Sequence, residues 1–195
     1  MTRLDSQLAF ILELDKLKSI LRQTPITGAD RRRENDAEHS WHLATMATLL
    51  AEYAPAEVDL LRVLRMLLIH DVVEIDAGDT FAYDAAAYSD KEERECRAAD
   101  RLFGLLPADQ AAEFRALWDE FEAVSTAESR YANALDRLQP LLLNSRTGGG
   151  SWANHRVTRA QVFTRMEPNR HGAPALWPVV EAIVEDASAR GWLVV

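Results

Sequence analysis

A histidine and an aspartate stand side by side where an apolar helix is predicted to end. His70 and Asp71 continue the inward stripe of that helix, and Glu74 follows one turn later. The stripe begins with Leu60, Leu64 and Leu67. Because buried charges are usually paired or bound to a metal, these three groups indicate a metal or acid–base site. The alternative is an amphipathic helix that emerges into solvent, with all three side chains exposed.

A second histidine occupies a comparable position on another predicted helix. Asn35 and Glu38 have the form of a capping box, so a helix is predicted to start directly before His39. His39 shares one helix face with Leu43, Met46 and Leu50. An imidazole on the buried face of a first helical turn is a suitable metal ligand. The alternative is a core histidine bonded to a backbone carbonyl.

Helical periodicity dominates the elements that would position these side chains. Helices are predicted from about residue 4 to 21, 35 to 50, 55 to 75, 89 to 104, 108 to 122, 126 to 148 and 175 to 190. Residues 23–35 read as a loop, and Pro140 is expected to kink or restart its helix. Residues 192–195 are predicted to form a short extended tail. The fold class is all-α, a single-domain helical bundle over residues 1–195, with its core at about 5–145 and a C-terminal helical appendage at about 150–195.

Composition and charge argue against several classes of partner and location. The chain has 195 residues and a formal net charge of −9, which argues against a nucleic-acid polymer as partner. The single cysteine, Cys96, is compatible with a reducing compartment. The longest apolar run, residues 64–73, is too short and too charged to span a bilayer. We therefore expect a soluble cytoplasmic protein with no membrane partner.

The ionisable residues also match a known pattern in their order and spacing. The matching elements are Arg22, Glu34-Asn35-x-x-Glu38-His39-Ser40, His70-Asp71-x-x-Glu74-x-x-x-Gly78-Asp79 and Asp136. With them the chain resembles the HD-domain metal-dependent phosphohydrolases over about residues 5–145. Among the branches of that family it is most similar to the small 5′-deoxynucleotidases.

The resemblance implies a metal centre. It assigns one divalent cation to His39, His70, Asp71 and Asp136, and it alone singles out Asp136. Imidazole and carboxylate ligands favour a first-row transition metal over magnesium, but metal identity is not set by ligand type alone, so cobalt, manganese, zinc, iron and magnesium stay open. Such a cation would activate water and polarise a phosphoryl oxygen. Glu74, one turn from His70, is assigned general acid–base or water-positioning duty.

The resemblance also implies a small phosphorylated substrate. Similarity to the 5′-deoxynucleotidase branch indicates a (deoxy)nucleoside 5′-monophosphate. Arg22, with Arg32 or Arg33, is the candidate for phosphate binding, because a guanidinium binds phosphate bidentately. Asp79 matches the residue that contacts the sugar. The Thr80–Asp84 stretch departs from the proline-containing pattern of that branch, which leaves the base and sugar preference open. Family resemblance also implies a homodimer.

Other readings stay open at this stage. The substrate of the same centre could be another phosphorylated small molecule or a nucleotide pyrophosphate. A non-catalytic domain that binds metal or nucleotide for regulation would carry the same ligands. A helical interaction protein with solvated charges would bind no metal and would tolerate His70→Ala.

Overall fold

The computed structural model describes residues 2–28, 30–55, 57–84, 87 and 89–194. These residues form a single helical domain. The helices are α1 (Arg3–Leu14), α2 (Asp36–Leu49), α3 (Leu60–Ile69), α4 (Glu74–Ala77), α5 (Lys91–Phe103), α6 (Ala108–Ala123), α7 (Ala127–Arg146), α8 (Gly150–His155), α9 (Arg159–Met166), α10 (Asn169–Gly172) and α11 (Trp177–Ala189). Short 3-10 segments span Asp15–Ser19, Ala51–Tyr53, His70–Val73 and Pro174–Leu176. The all-α prediction is confirmed.

The loop predicted over residues 23–35 is partly wrong. Strands β1 (Leu21–Pro25) and β2 (Arg33–Asn35) pair in an antiparallel two-stranded sheet, and the first helix ends well before residue 21. The strands are too short and too polar to show alternation, so only their pairing with each other defines them. This sheet carries Arg22 and leads directly into α2.

The helix predicted over residues 55–75 divides into three parts, and this division shapes the site. Regular α3 ends at Ile69, a tighter 3-10 turn carries His70 and Asp71, and α4 begins at Glu74. The predicted start near Pro55 is wrong, because Asp59 caps α3 by accepting a hydrogen bond from the backbone N–H of Arg62. Ala56 lies outside the described residues.

Helix α7 is the central element. Thr126 and Ser129 form its capping box, and Pro140 lies inside it without ending it, contrary to the predicted restart. Elements packed against α7 include α2, α3, α6, β1 and the C-terminal helices. Asp136 is therefore held at the middle of the molecule.

The C-terminal segment packs closely on α7. Asn169 donates a hydrogen bond of 2.8 Å to the carbonyl of Ala134. A Cβ at Gly172 would lie 2.2 Å from the carbonyl oxygen of Arg130, so only glycine permits this approach. Buried apolar residues from α9 and α11 belong to the same hydrophobic core as those of α2, α3 and α7. The extended tail is confirmed at Val194, which bridges Thr158, while Val195 lies outside the described residues.

Candidate metal centre and cavity

Four candidate metal ligands from three elements converge at one point. His39 comes from α2, His70 and Asp71 from the 3-10 turn, and Asp136 from α7. The His39 Nε2 atom lies 3.0 Å from Asp136 Oδ1 and 4.0 Å from Asp71 Oδ2. The His70 Nε2 atom lies 3.2 Å from Asp71 Oδ1 and 3.7 Å from Asp136 Oδ1. The fold thus brings together the two histidines and two aspartates that the sequence singled out.

The contact behind each imidazole ring determines which of its nitrogens faces this centre. The Nδ1 atom of His70 lies 3.0 Å from the carbonyl of Leu67, which can only accept, so Nδ1 carries the proton. The Nδ1 atom of His39 lies 3.3 Å from Glu34 Oε2. Both Nε2 atoms therefore point inward. A carbonyl or carboxylate behind a ring nitrogen is the usual support for a histidine that ligates a metal.

The donor set fits a divalent cation. Among the described residues, His70 Nε2 is buried without a hydrogen-bond partner, although two carboxylates lie beside it. Ligand atoms of His39, His70 and Asp136 all lie within 4.8 Å of one another. Grouping carboxylates in the interior is costly unless a positive charge offsets them. Two imidazoles and two carboxylates supply the mixed N and O ligands that first-row divalent metals accept.

Without a cation, the histidines take up the positive charge themselves. Burial opposes protonation of His70, but the charge of Asp71 and the contact with Asp136 outweigh it and raise the pKa of His70 to about 10. Burial works against ionisation of Asp136, yet its contacts with His39 and His70 hold its pKa well below the usual range. Protons and a metal therefore compete for the same imidazoles.

A second acidic group adjoins the centre on the side of β1. Oxygens of Asp36, Asp71 and Glu74 lie within 4.8 Å of one another. Arg22 donates a 2.6 Å hydrogen bond from Nη1 to Asp71 Oδ2, and the same nitrogen lies 3.7 Å from Asp36 Oδ1. Burial and the charge of Asp71 raise the pKa of Asp36 to about 7. Burial and the same charge raise the pKa of Glu74 well above its usual value.

A cavity of about 270 Å³ opens on this centre. Its lining includes Arg22, His70, Asp71, Glu74, Asp79, Phe81, Tyr83, Asp136 and Arg165. Gly78 ends α4 with a φ of +76°, a conformation that favours glycine, and the chain then turns so that Asp79 lines the cavity. Burial raises the pKa of Asp79. The cavity therefore joins the metal centre, further carboxylates that include Glu74 and Asp79, and aromatic side chains.

Aromatic rings form one wall of the cavity. The rings of Phe81 and Tyr83 meet edge to face with their centroids 5.4 Å apart. The centroid of the Phe81 ring also lies 4.3 Å from that of His155 in α8. Phe81 is thus packed between its neighbours rather than free in solvent, and it offers a flat apolar surface to the cavity.

Two predicted phosphate-binding residues do not reach the cavity. Arg32 forms an exposed ion pair with Glu38, with Nη1 2.8 Å from Oε2. Arg33 donates to the backbone carbonyls of Leu21 and Arg22. Neither guanidinium is among the groups that line the cavity. Of the predicted arginines, the structure brings Arg22 alone to the site.

Sequence reasoning missed three residues at the site. Asp36 is fully buried. It precedes His39 by three residues on the same helix face, so helical periodicity could have predicted its place beside the site. Glu34 lay within the recognised motif, but its contact with His39 Nδ1 depends on the pairing of the two strands. Arg165 comes from the C-terminal segment, where no sequence signal linked it to the centre.

The chain is similar to known proteins to different degrees. A solved structure from Magnetospirillum magnetotacticum MS-1, described as a predicted metal-dependent phosphohydrolase, is 59% identical, with a TM-score of 0.94 over 99% of this chain and 96% of the other. The 5′-deoxynucleotidase HDDC2 of Xenopus laevis is 29% identical and the alignment spans 92% of this chain and 88% of the relative. The human protein of that name is 26% identical over 94% and 87%.

The helical fold and the buried histidine–aspartate centre, together with these relatives, define the chain as a metal-dependent phosphohydrolase. The family model described as HD domain matches residues 14–177. The chain belongs to the HD domain family. Within the described residues, no helix has both the length and the apolar character that crossing a bilayer requires.

Proposed function

We propose that the chain releases inorganic phosphate from deoxynucleoside 5′-monophosphates. The observation that carries the proposal is the convergence of His39, His70, Asp71 and Asp136 beside a cavity that Glu74 lines. The name 5′-deoxynucleotidase shared by the curated relatives supports this substrate class.

The four ligands would hold one divalent cation, for which cobalt, manganese, zinc, iron and magnesium are the candidates. When bound, it supplies the positive charge that activates water and polarises a phosphoryl oxygen. Hydrolysis breaks the bond between phosphorus and the sugar 5′-oxygen, and water supplies the new oxygen on phosphorus. The water loses one proton and the 5′-oxygen gains one.

The position of Glu74 supports a role in these two proton transfers. Its side chain is buried beside Asp36 and Asp71, and burial together with the charge of Asp71 raises its pKa well above the usual value, which favours the protonated form. Its carboxyl group lines the cavity one turn beyond His70. We assign Glu74 the delivery of a proton to the leaving sugar oxygen, after which its carboxylate accepts the proton that water loses.

Two further residues would bind the substrate, Arg22 at its phosphate and Asp79 at its sugar. The guanidinium of Arg22 is largely buried, close to both Asp71 and Asp136, which suits it to a phosphoryl oxygen at the centre. Asp79 lines the same cavity and can accept a hydrogen bond from a sugar hydroxyl. The resemblance to the family implies these roles for Arg22 and Asp79, and the cavity that both residues line supports them.

A substrate panel tests the proposal. Metal-free protein reconstituted with magnesium, manganese, cobalt or zinc is assayed for phosphate release from ribo- and deoxynucleoside 5′-monophosphates, 3′-monophosphates and diphosphates. We expect the highest kcat/KM for deoxynucleoside 5′-monophosphates. Cleavage confined to a pyrophosphate bond would overturn the substrate class. Metal binding without release from any nucleotide would favour a regulatory domain.

We further propose that the chain acts as a homodimer in the cytoplasm. Helix α1 carries four apolar side chains that are each at least 48% exposed: Leu4, Leu8, Ile11 and Leu12. A run of exposed apolar side chains on one helix supports a contact with a second copy of the chain. Light scattering coupled to gel filtration tests the dimer, and Leu8→Glu should release monomers if α1 is the interface.

A further inference from the structure

Arg165 lines the cavity but has no part in the function proposed above. Arg165 lies in α9, where Val162 and Met166 are buried and anchor the helix on the core. Its own side chain is 31% exposed and lines the cavity. The C-terminal segment thus delivers a guanidinium to the metal centre.

Arg165 approaches Asp136 through the carboxylate oxygen that neither His39 nor His70 faces. The Oδ1 atom of Asp136 faces His39 at 3.0 Å, whereas its Oδ2 atom faces Arg165 Nη2 at 3.8 Å. Arg22 reaches the same carboxylate through Oδ1, at 3.9 Å from Nη2. Two guanidinium groups therefore flank Asp136 on the cavity side.

The two guanidinium groups differ in how fully their donors are used. Arg22 donates a 2.6 Å hydrogen bond to Asp71 and has Glu34 and Asp36 within 4.0 Å, so carboxylates already offset its charge. The separation between Arg165 and Asp136 exceeds hydrogen-bond length. Because a phosphate monoester carries about two negative charges near neutral pH, a cavity rich in carboxylates needs a further cation to accept it.

We propose that Arg165 binds a non-bridging phosphoryl oxygen of the substrate, opposite Arg22. Arg165 would then be a substrate-binding residue supplied by the C-terminal segment, and α8 to α10 would complete the site rather than only cover the core. The inference rests on the proposed function for the identity of the substrate. It requires only that the cavity bind a phosphate group.

Direct binding of inorganic phosphate tests this assignment without turnover. Wild-type protein loaded with magnesium and the Arg165→Gln variant are titrated with inorganic phosphate by calorimetry. Arg159→Gln is the matched control, because Arg159 lies in the same helix, pairs with Glu185 and does not line the cavity. We expect Arg165→Gln to weaken phosphate binding about tenfold or more, and Arg159→Gln to leave it unchanged.

Two further measurements separate binding from structure. Magnesium affinity and thermal midpoint should stay at wild-type values in Arg165→Gln, since the contact with Asp136 is too long to hold the ligand in place. Arg165→Lys keeps the charge without the paired donors, so it should bind phosphate more weakly than wild type and more tightly than the glutamine variant.

The outcomes are distinct. Wild-type phosphate affinity in both Arg165 variants would overturn the assignment, and so would a loss of phosphate binding matched by an equal loss of magnesium binding. If no nucleotide is hydrolysed but phosphate binding still depends on Arg165, the proposed function fails and this inference stands.

Discussion

The Nε2 atom of His39 lies 3.0 Å from Oδ1 of Asp136, although 97 residues separate them in the sequence. The contact joins α2 to the central helix α7. It also places His39 beside a carboxylate whose other oxygen faces Arg165. The candidate centre therefore depends on the packing of α2 on α7.

Asp136→Asn should remove the metal while leaving the fold intact. The amide has the same size but lacks the negative charge that a divalent cation requires, so we expect metal affinity to fall by more than the roughly 10–100-fold typical of losing a supporting group. Metal per chain is measured by elemental analysis after gel filtration. Asp186→Asn is the control, because Asp186 is an exposed residue of α11 that pairs with Arg190. Full metal content in Asp136→Asn would exclude Asp136 as a ligand.

Glu74→Gln should separate catalysis from binding. Glutamine resembles a protonated glutamate, so metal and substrate should still bind, whereas kcat should fall about 100-fold or more because no proton can be exchanged. Steady-state kinetics with one deoxynucleoside 5′-monophosphate measure both constants. Glu113→Gln, an exposed residue paired with Arg65, should keep wild-type kcat. An unchanged kcat in Glu74→Gln would show that the acid–base assignment is wrong.

Arg22 and Arg32 should respond very differently to the same substitution. Arg22→Gln leaves Asp71 and Asp36 without their buried counter-charge, so it should lower the thermal midpoint and raise KM. Arg32→Gln breaks only an exposed pair with Glu38, which should leave both the thermal midpoint and KM close to wild type. Thermal unfolding and kinetics on the two variants provide the comparison. A large rise in KM for Arg32→Gln would place that residue at the substrate after all.

Gly172→Ala should destabilise the packing of the C-terminal segment. Its Cβ would lie 2.2 Å from the carbonyl oxygen of Arg130, so α10 must move away from α7, at a cost of about 1–3 kcal/mol. Gly28→Ala is the control, because there a Cβ would meet only side-chain atoms at 3.3 Å. Urea unfolding of both variants gives the free energies. Equal stability of Gly172→Ala and wild type would contradict the close approach of these helices.

Periodicity alone accounts for part of the site. The apolar stripes before His70 and after His39 lie on the faces that the fold buries, so both histidines are predictable from their own helices. Asp136 is different, because an aspartate within a long helix resembles any solvated aspartate. Only the resemblance to a family singled it out, and the fold brings it beside the two histidines.

Features that arise from tertiary pairing could not be predicted. The strands of residues 21–25 and 33–35 are defined by each other, and they determine that Arg22 enters the cavity while Arg32 and Arg33 do not. The change from α-helix to 3-10 helix at His70 does not alter the spacing of apolar residues in the sequence, so it could not be predicted. Arg165 belongs to a helix that was not predicted, and its position at the cavity follows from how the C-terminal segment packs on α7.

Phosphate release from a deoxynucleoside 5′-monophosphate by metal-free and metal-reconstituted protein tests the central claim most directly. We expect no release after chelation, restored release when one divalent cation per chain is returned, and none from Asp136→Asn under either condition. Release that persists at full rate in metal-free protein, or in Asp136→Asn, would contradict a metal centre built from His39, His70, Asp71 and Asp136.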